Sequence, residues 1–155
     1  MVITLLTDFG LRDNFVGAMK GVILSINPGV TIVDITHEVP PQDVLAAAFL
    51  LDTAWPYFPP GSIHVAVVDP GVGTARRAIA VETSRAVFLA PDNGLLTPVL
   101  RSGDVRRIIS LTNPRYWLPQ VSSTFHGRDI FAPVAAHLSL GVPLEELGVA
   151  VDDPV

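Results

Sequence analysis

Two stretches of this chain concentrate side chains able to move protons and hold charge. Residues 63–77, IHVAVVDPGVGTARR, run as an apolar segment to Asp69 and then turn through Gly71 and Gly73 into Arg76 and Arg77. Residues 123–129, STFHGRD, pack hydroxyls, a ring, an imidazole, a guanidinium and a carboxylate together. Aspartate can accept a proton and histidine exchanges one near neutral pH, whereas arginine keeps its own and acts as a fixed positive charge. Two further polar turns also follow apolar runs: Asp8 to Asn14, and Pro91-Asp92-Asn93-Gly94. Loops of this kind, gathered above a rigid sheet, are where α/β proteins place their sites.

Plainer structural roles compete for the same residues. Asp-Pro-Gly is common turn chemistry, so Asp69 can be read as the cap of a surface turn. Asp129 can be read as a helix cap paired with Arg128, which leaves His126 without a role. His64 falls within a strand and His137 within a helix, positions that suit structural histidines, and Thr36-His37-Glu38 supplies no metal spacing. No metal site is expected. Gly71-Val72-Gly73 lacks the third glycine of a dinucleotide fingerprint and no Gly-Lys-Ser/Thr follows, which argues against nucleotide phosphate binding. Ser122 and Ser123 lack a nucleophile elbow. The absence of cysteine excludes disulfides, thiolate catalysis and zinc–thiolate sites, and suits a reducing cytoplasm.

The elements that must position these loops follow from pattern. A length of 155 residues, 49% of them hydrophobic, suits one domain with a real core. Ten Lys and Arg against fifteen Asp and Glu leave a net charge of −5 with no basic run, so nucleic acid is not an expected partner. The apolar start is too short to span a membrane and lacks a basic leader region. Strands are predicted over 2–6, 30–35, 63–68, 78–81, 86–89 and 105–109. The third is continuous and β-branched, as in a strand covered on both faces. Helical spacing of Phe15, Val16, Met19, Val22, Ile23 and Ile26 predicts a helix capped by Asp13, and Asp43 should cap another running to about Ala54. A short helix is expected over 95–100 and a longer one over 129–140, with 111–122 as loop. The tight turn at Thr83-Ser84 makes the sheet mixed, and strands alternating with helices make the chain α/β.

TDFG with Asp13 following, DITH, VVDPGVG followed by Arg-Arg, APDNGLLT and TFHGRDIFAPVAAH occur in one order across nearly the whole chain. In this set the chain resembles the S-adenosyl-L-methionine hydroxide adenosyltransferases, relatives of the fluorinases and chlorinases. The resemblance implies a three-layer α/β/α sandwich with a mixed, mostly parallel sheet, spanning 1–155 as the family's N-terminal domain. It also implies conversion of S-adenosylmethionine and water to adenosine and methionine by attack at ribose C5′, with no cofactor. By position the catalytic group is Asp69, Arg76 and His126, with Arg77 a neighbouring candidate for the arginine. Asp8 would hold the ribose hydroxyls with Asp13, Asn14 and Phe15 nearby, Phe125 would pack on the adenosine, and Gly127 would line the methionine side.

Two alternatives accompany this expectation. A halogenating relative would deliver a halide to the same carbon, but a carboxylate at Asp69 repels an anion, so Asp69 with His126 favours water. Members of the family also carry a second, mostly β domain that closes the pocket from a neighbouring subunit of a homotrimer. A chain without that domain could instead be a non-catalytic binding or assembly module.

Overall fold

The computed structural model describes residues 1–155. In chain order its elements are β1 (Val2–Thr7), α1 (Phe15–Ile26), β2 (Thr31–Thr36), α2 (Val44–Ala54), β3 (Ser62–Val67), β4 (Ala78–Thr83), β5 (Ala86–Pro91), α3 (Thr97–Leu100), β6 (Val105–Ser110), α4 (Ala132–Ser139) and β7 (Val149–Ala150). The strands form one sheet in the order β2-β1-β3-β5-β4-β6-β7. β1 pairs in parallel with β2 and β3, and β3 with β5, while β4 runs antiparallel to both β5 and β6 and β7 antiparallel to β6. The sheet is therefore mixed, with β1, β2, β3, β5 and β6 sharing one direction.

Every residue of β3 is buried, as its unbroken apolar run predicts. Its side chains divide between two cores. Ile63, Val65 and Val67 pack with Ile3, Leu5, Met19, Ile23 and Val134 beneath α1 and α4. Ala66, with Val68 just beyond the strand, packs with Leu6, Leu51, Phe88 and Val99 beneath α2 and α3. Helices thus cover both faces, giving the three-layer α/β/α sandwich. The chain passes from β1 to β2 on one side and then returns to β3 on the other, so the sheet order switches at β1. Crevices at such switch points, outside the carboxyl ends of the strands, are where these folds bind ligands. Asp8 follows β1 and Asp69 follows β3.

Several local expectations change. Asn14, not Asp13, occupies the cap of α1, and its side chain makes no capping bond; its carbonyl serves the helix by accepting from Ala18. Asp43 does cap α2, accepting from the Ala46 N–H at 3.0 Å. The last helix begins earlier than predicted, with a π turn at Gly127–Phe131 that runs into α4. Pro133 explains the wide turn, because it has no N–H to offer the Asp129 carbonyl and would clash with it in a regular helix. That carbonyl accepts from Leu118 N–H at 2.9 Å instead, which pins part of the 111–122 segment. The same segment contains a short 3₁₀ turn at Pro114–Tyr116. The unexpected strand β7 is only two residues long, too short to show a period.

Candidate active site

Asp69 is delivered by the end of β3, and the loop that follows folds back on it. Val72 N–H donates to the Asp69 carbonyl at 3.2 Å and Thr74 N–H to the Gly71 carbonyl at 3.1 Å, so the loop is a succession of tight turns. Gly73 has φ +79°, and a Cβ built on it would lie 2.3 Å from the Ser123 carbonyl oxygen. Only glycine allows this backbone to lie against residue 123, and that contact brings the two chemistry-bearing stretches together.

The Arg76 guanidinium grips Asp69 with two hydrogen bonds, Nε to Oδ1 at 2.9 Å and Nη2 to Oδ2. Nη2 also lies 2.9 Å from His126 Nδ1. Side-chain exposure is only 11% for Arg76 and 6% for Asp69, so little solvent screens the pair. Since arginine can only donate, His126 Nδ1 is the acceptor and the neutral ring carries its proton on Nε2. Burial, followed by the Arg76 charge, holds the His126 pKa below its ordinary value against an opposing pull from Asp69. Arg77 faces elsewhere. It binds Asp92 through Nε at 3.0 Å and Nη2 at 2.8 Å, and Asp153 through Nη1 at 2.7 Å. Arg76 is therefore the arginine of the cluster.

Asp69 and His126 border a cavity of about 180 Å³ with Asp8, Phe9, Gln42, Val67, Val72, Thr124, Phe125 and Gly127. Phe125 meets Phe9 and Phe15 edge-on, with ring centroids 5.7 and 5.2 Å apart, and the Arg128 guanidinium stands 4.8 Å from its centroid. A Cβ on Gly127 would lie 3.3 Å from Met19 Sδ and 3.4 Å from the Phe9 ring, so a bare backbone suits that wall. Asp13 and Asn14 are exposed and line no part of this cavity. Phe15, expected near the sugar, is 41% exposed beside Phe125 and lines no part of the cavity either.

Gln42 is the lining residue that sequence reasoning missed. Its N–H donates to Asp8 Oδ2 at 2.8 Å from a backbone with φ +61°. The only local signal was its place between Pro40-Pro41 and the cap Asp43, and nothing there pointed toward Asp8. The Pro91 to Gly94 turn lines no part of the cavity either. Asp129, read as a helix cap, instead lies fully buried inside the π turn and reaches back to Ser122, accepting from its N–H and Oγ at 2.8 Å each. Burial opposes its ionisation, but donation from Arg128 and Ser122 prevails and keeps its pKa low.

His37 and His64 are buried and satisfied. His37 lies 2.7 Å from Thr7 Oγ1 and 2.8 Å from Asp34 Oδ1, and His64 lies 2.7 Å from Thr4 Oγ1. No three His, Asp or Glu side chains gather as a metal cluster. A larger depression, about 600 Å³, lies over Leu118, Gln120, Val121 and Arg128. It contains neither Asp69, Arg76 nor His126, and its carboxylate Asp129 is sealed by Arg128 and Ser122, so the smaller cavity is the better seat for chemistry. No helix is long and apolar enough to cross a membrane.

Comparison with known proteins places this geometry among relatives. An (R)-S-adenosyl-L-methionine hydrolase of Salinispora tropica is 53% identical over 97% of this chain and 58% of its own length. A fluorinase of Actinoplanes sp. is 31% identical over 98% of the chain and 59% of its own length. An uncharacterised conserved protein from Thermotoga maritima, of known crystal structure, superposes with a TM-score of 0.96 at 46% identity, covering 100% of this chain and 60% of that one. The chain thus spans about three fifths of the length of the relatives it matches. The family model described as the SAM hydroxide adenosyltransferase N-terminal domain matches residues 3–148, and the chain belongs to that family.

Proposed function

We propose that this protein acts in the hydrolysis of S-adenosyl-L-methionine to adenosine and L-methionine, by attack of an activated water on ribose C5′. The observation that carries this reading is the joining of Asp69, Arg76 and His126, three residues far apart in sequence, beside one cavity. The sulfonium leaves as a neutral thioether, so the leaving group needs no acid, and the task is to make and aim the nucleophile. Arg76 occupies one lone-pair direction on each Asp69 oxygen, which leaves the carboxylate able to accept from water. The fixed guanidinium charge favours hydroxide character on that water, and His126 completes the polar set. Hydroxide meeting sulfonium annihilates charge, so a partly buried site lowers the barrier.

In this reading Asp8 would hold the ribose hydroxyls, Phe125 with Phe9 would pack on the adenosine, and Gly127 would face the methionine side; all four residues line the cavity. Asp13 and Asn14 would act near the sugar only if the 8–14 segment closed further. The cavity, about 180 Å³, is smaller than the roughly 300–1,000 Å³ of typical ligand pockets, as expected of a site completed by a second surface. The proposed assembly is a homotrimer in the cytoplasm, with a neighbouring subunit supplying that surface. No cofactor enters the reaction.

The halogenase reading needs a sharper test than charge alone. Pairing with Arg76 removes much of the repulsion that a lone Asp69 would exert on a halide. The carboxylate still presents acceptors, which orient water and offer a halide nothing. Incubation with S-adenosylmethionine, with and without chloride, followed by mass analysis separates the outcomes. Adenosine with methionine is expected in both; 5′-chloro-adenosine identifies a halogenase, and binding without turnover identifies a non-catalytic module.

A further inference from the structure

Asp92 is a buried carboxylate that the proposed chemistry does not use. It is 5% exposed, and its contacts converge on the loop that carries Asp69 and Arg76. Oδ2 accepts from Arg77 Nε at 3.0 Å and Nη2 at 2.8 Å, while Oδ1 accepts from Val155 N–H at 2.8 Å. The Asp92 N–H donates to the Arg77 carbonyl at 2.8 Å. The next side chain, Asn93, donates from Nδ2 to the Val68 carbonyl at 3.0 Å. Val68 directly precedes Asp69 and Arg77 directly follows Arg76. The 91–94 turn therefore holds the loop at both ends while contributing nothing to the cavity wall. Between those ends lie short-range turns and the close approach of Gly73 to Ser123, so the anchors fix the two ends of the loop.

We propose that Asp92 is a positioning residue for the Asp69–Arg76 pair. Successive side chains of extended chain point to opposite sides, and Arg76 and Arg77 lie just ahead of β4. Locking Arg77 onto Asp92 turns Arg76 the other way, toward Asp69 and His126. A carboxylate is needed because Arg77 must be held by charge as well as by shape; the exposed Asp153 binds the same guanidinium through Nη1 at the same time, from the solvent side. The kinetic consequence rests on the hydrolase reading; the geometric one does not.

The test is Asp92→Asn, which keeps the size and removes the charge. Misplacement of a reacting group by about 1 Å costs on the order of 100-fold, so kcat should fall roughly 10- to 100-fold with KM within about threefold. The Arg76 Nε–H resonance in a ¹⁵N–¹H spectrum should broaden as its bond to Asp69 loosens. Arg77→Gln should reproduce both effects from the exposed partner should Asp92→Asn unfold, and Arg77→Lys should recover part of the loss. Unchanged kcat together with an unchanged Arg76 signal overturns the inference, as does a rate loss that merely tracks the fraction of folded protein. A wild-type protein that releases no adenosine removes the hydrolase reading, and the Arg76 signal then decides the positioning role alone.

Discussion

Two clusters at the ends of β3 and β2, the strands on either side of β1, are built from similar residue types. After β3, Asp69 meets Arg76 and His126; at the end of β2, Asp34 meets Lys20 and His37, with Nζ 2.7 Å from Asp34 Oδ2. Each joins an acid, a base and a cation. Their surroundings invert the arrangement. In the β3 cluster the acid and the cation are largely withdrawn from solvent, with side chains 6% and 11% exposed, and the histidine borders the cavity. In the β2 cluster the histidine is buried with both ring nitrogens bonded, while the acid is 36% and the lysine 34% exposed on their side chains. Burial opposes ionisation of Asp34, yet donation from Lys20 and His37 outweighs it and holds its pKa low. A salt bridge so wetted contributes little energy, whereas the buried fork on Asp69 is strongly directed. Access and direction, more than composition, separate the two clusters.

The sharpest way to break that contrast is to neutralise each acid in turn. Asp69→Asn should lower turnover by about 10³-fold, the span of a lost general base, with an unaltered circular dichroism spectrum. Asp34→Asn should leave turnover within about threefold and cost about 1 kcal/mol in urea denaturation, since its bonds are half in water. Equal losses of rate in both would erase the distinction.

His64 isolates the burial variable. It is wedged among Trp55, Phe58 and Phe88 on the α2 face, and burial lowers its pKa from 6.5 to about 4. The unfolded chain takes up this proton near pH 6.5 and the folded one only near 4, so the unfolded state binds more protons between those values. Stability therefore falls as pH drops through that window, by about 3 kcal/mol in all, and levels off below it. Denaturation midpoints from pH 7 to 4 should show this slope in the wild type and lose most of it in His64→Gln; parallel curves would refute the assignment.

A further pair of effects compares the two clustered histidines. His126→Asn should reduce kcat about 100-fold with little change in melting temperature. His37→Asn should do the reverse, costing about 1–3 kcal/mol by leaving Thr7 and Asp34 short of a partner, with kcat of the folded protein nearly constant. A His37 variant as inactive as the His126 variant would extend the active cluster to β2.

Much of the architecture was legible along the chain. β-branched runs punctuated by Pro and Gly located six strands, the Thr83-Ser84 turn predicted the antiparallel pair, and Asp43 was a correct cap because capping is a local bond. Gly71 and Gly73 signalled close backbone approach. What stayed hidden was longer in range. The π turn before α4 depends on Leu118 accepting the role that Pro133 vacates, and β7 exists only because the β6 edge is there to receive it. Gln42 enters the cavity through a backbone bond to a residue 34 positions away.

The sequence by itself determined the alternation of strands and helices, the placing of carboxylates at strand ends and the glycines that let loops touch, because periodicity and turn chemistry act between near neighbours. Tertiary structure alone decided that Arg76 and not Arg77 meets Asp69 and His126, and that Asp13 and Asn14 stand outside the cavity. Adjacent side chains leave the backbone in opposite directions, so each partner is chosen by whichever carboxylate the folded sheet has carried to that side.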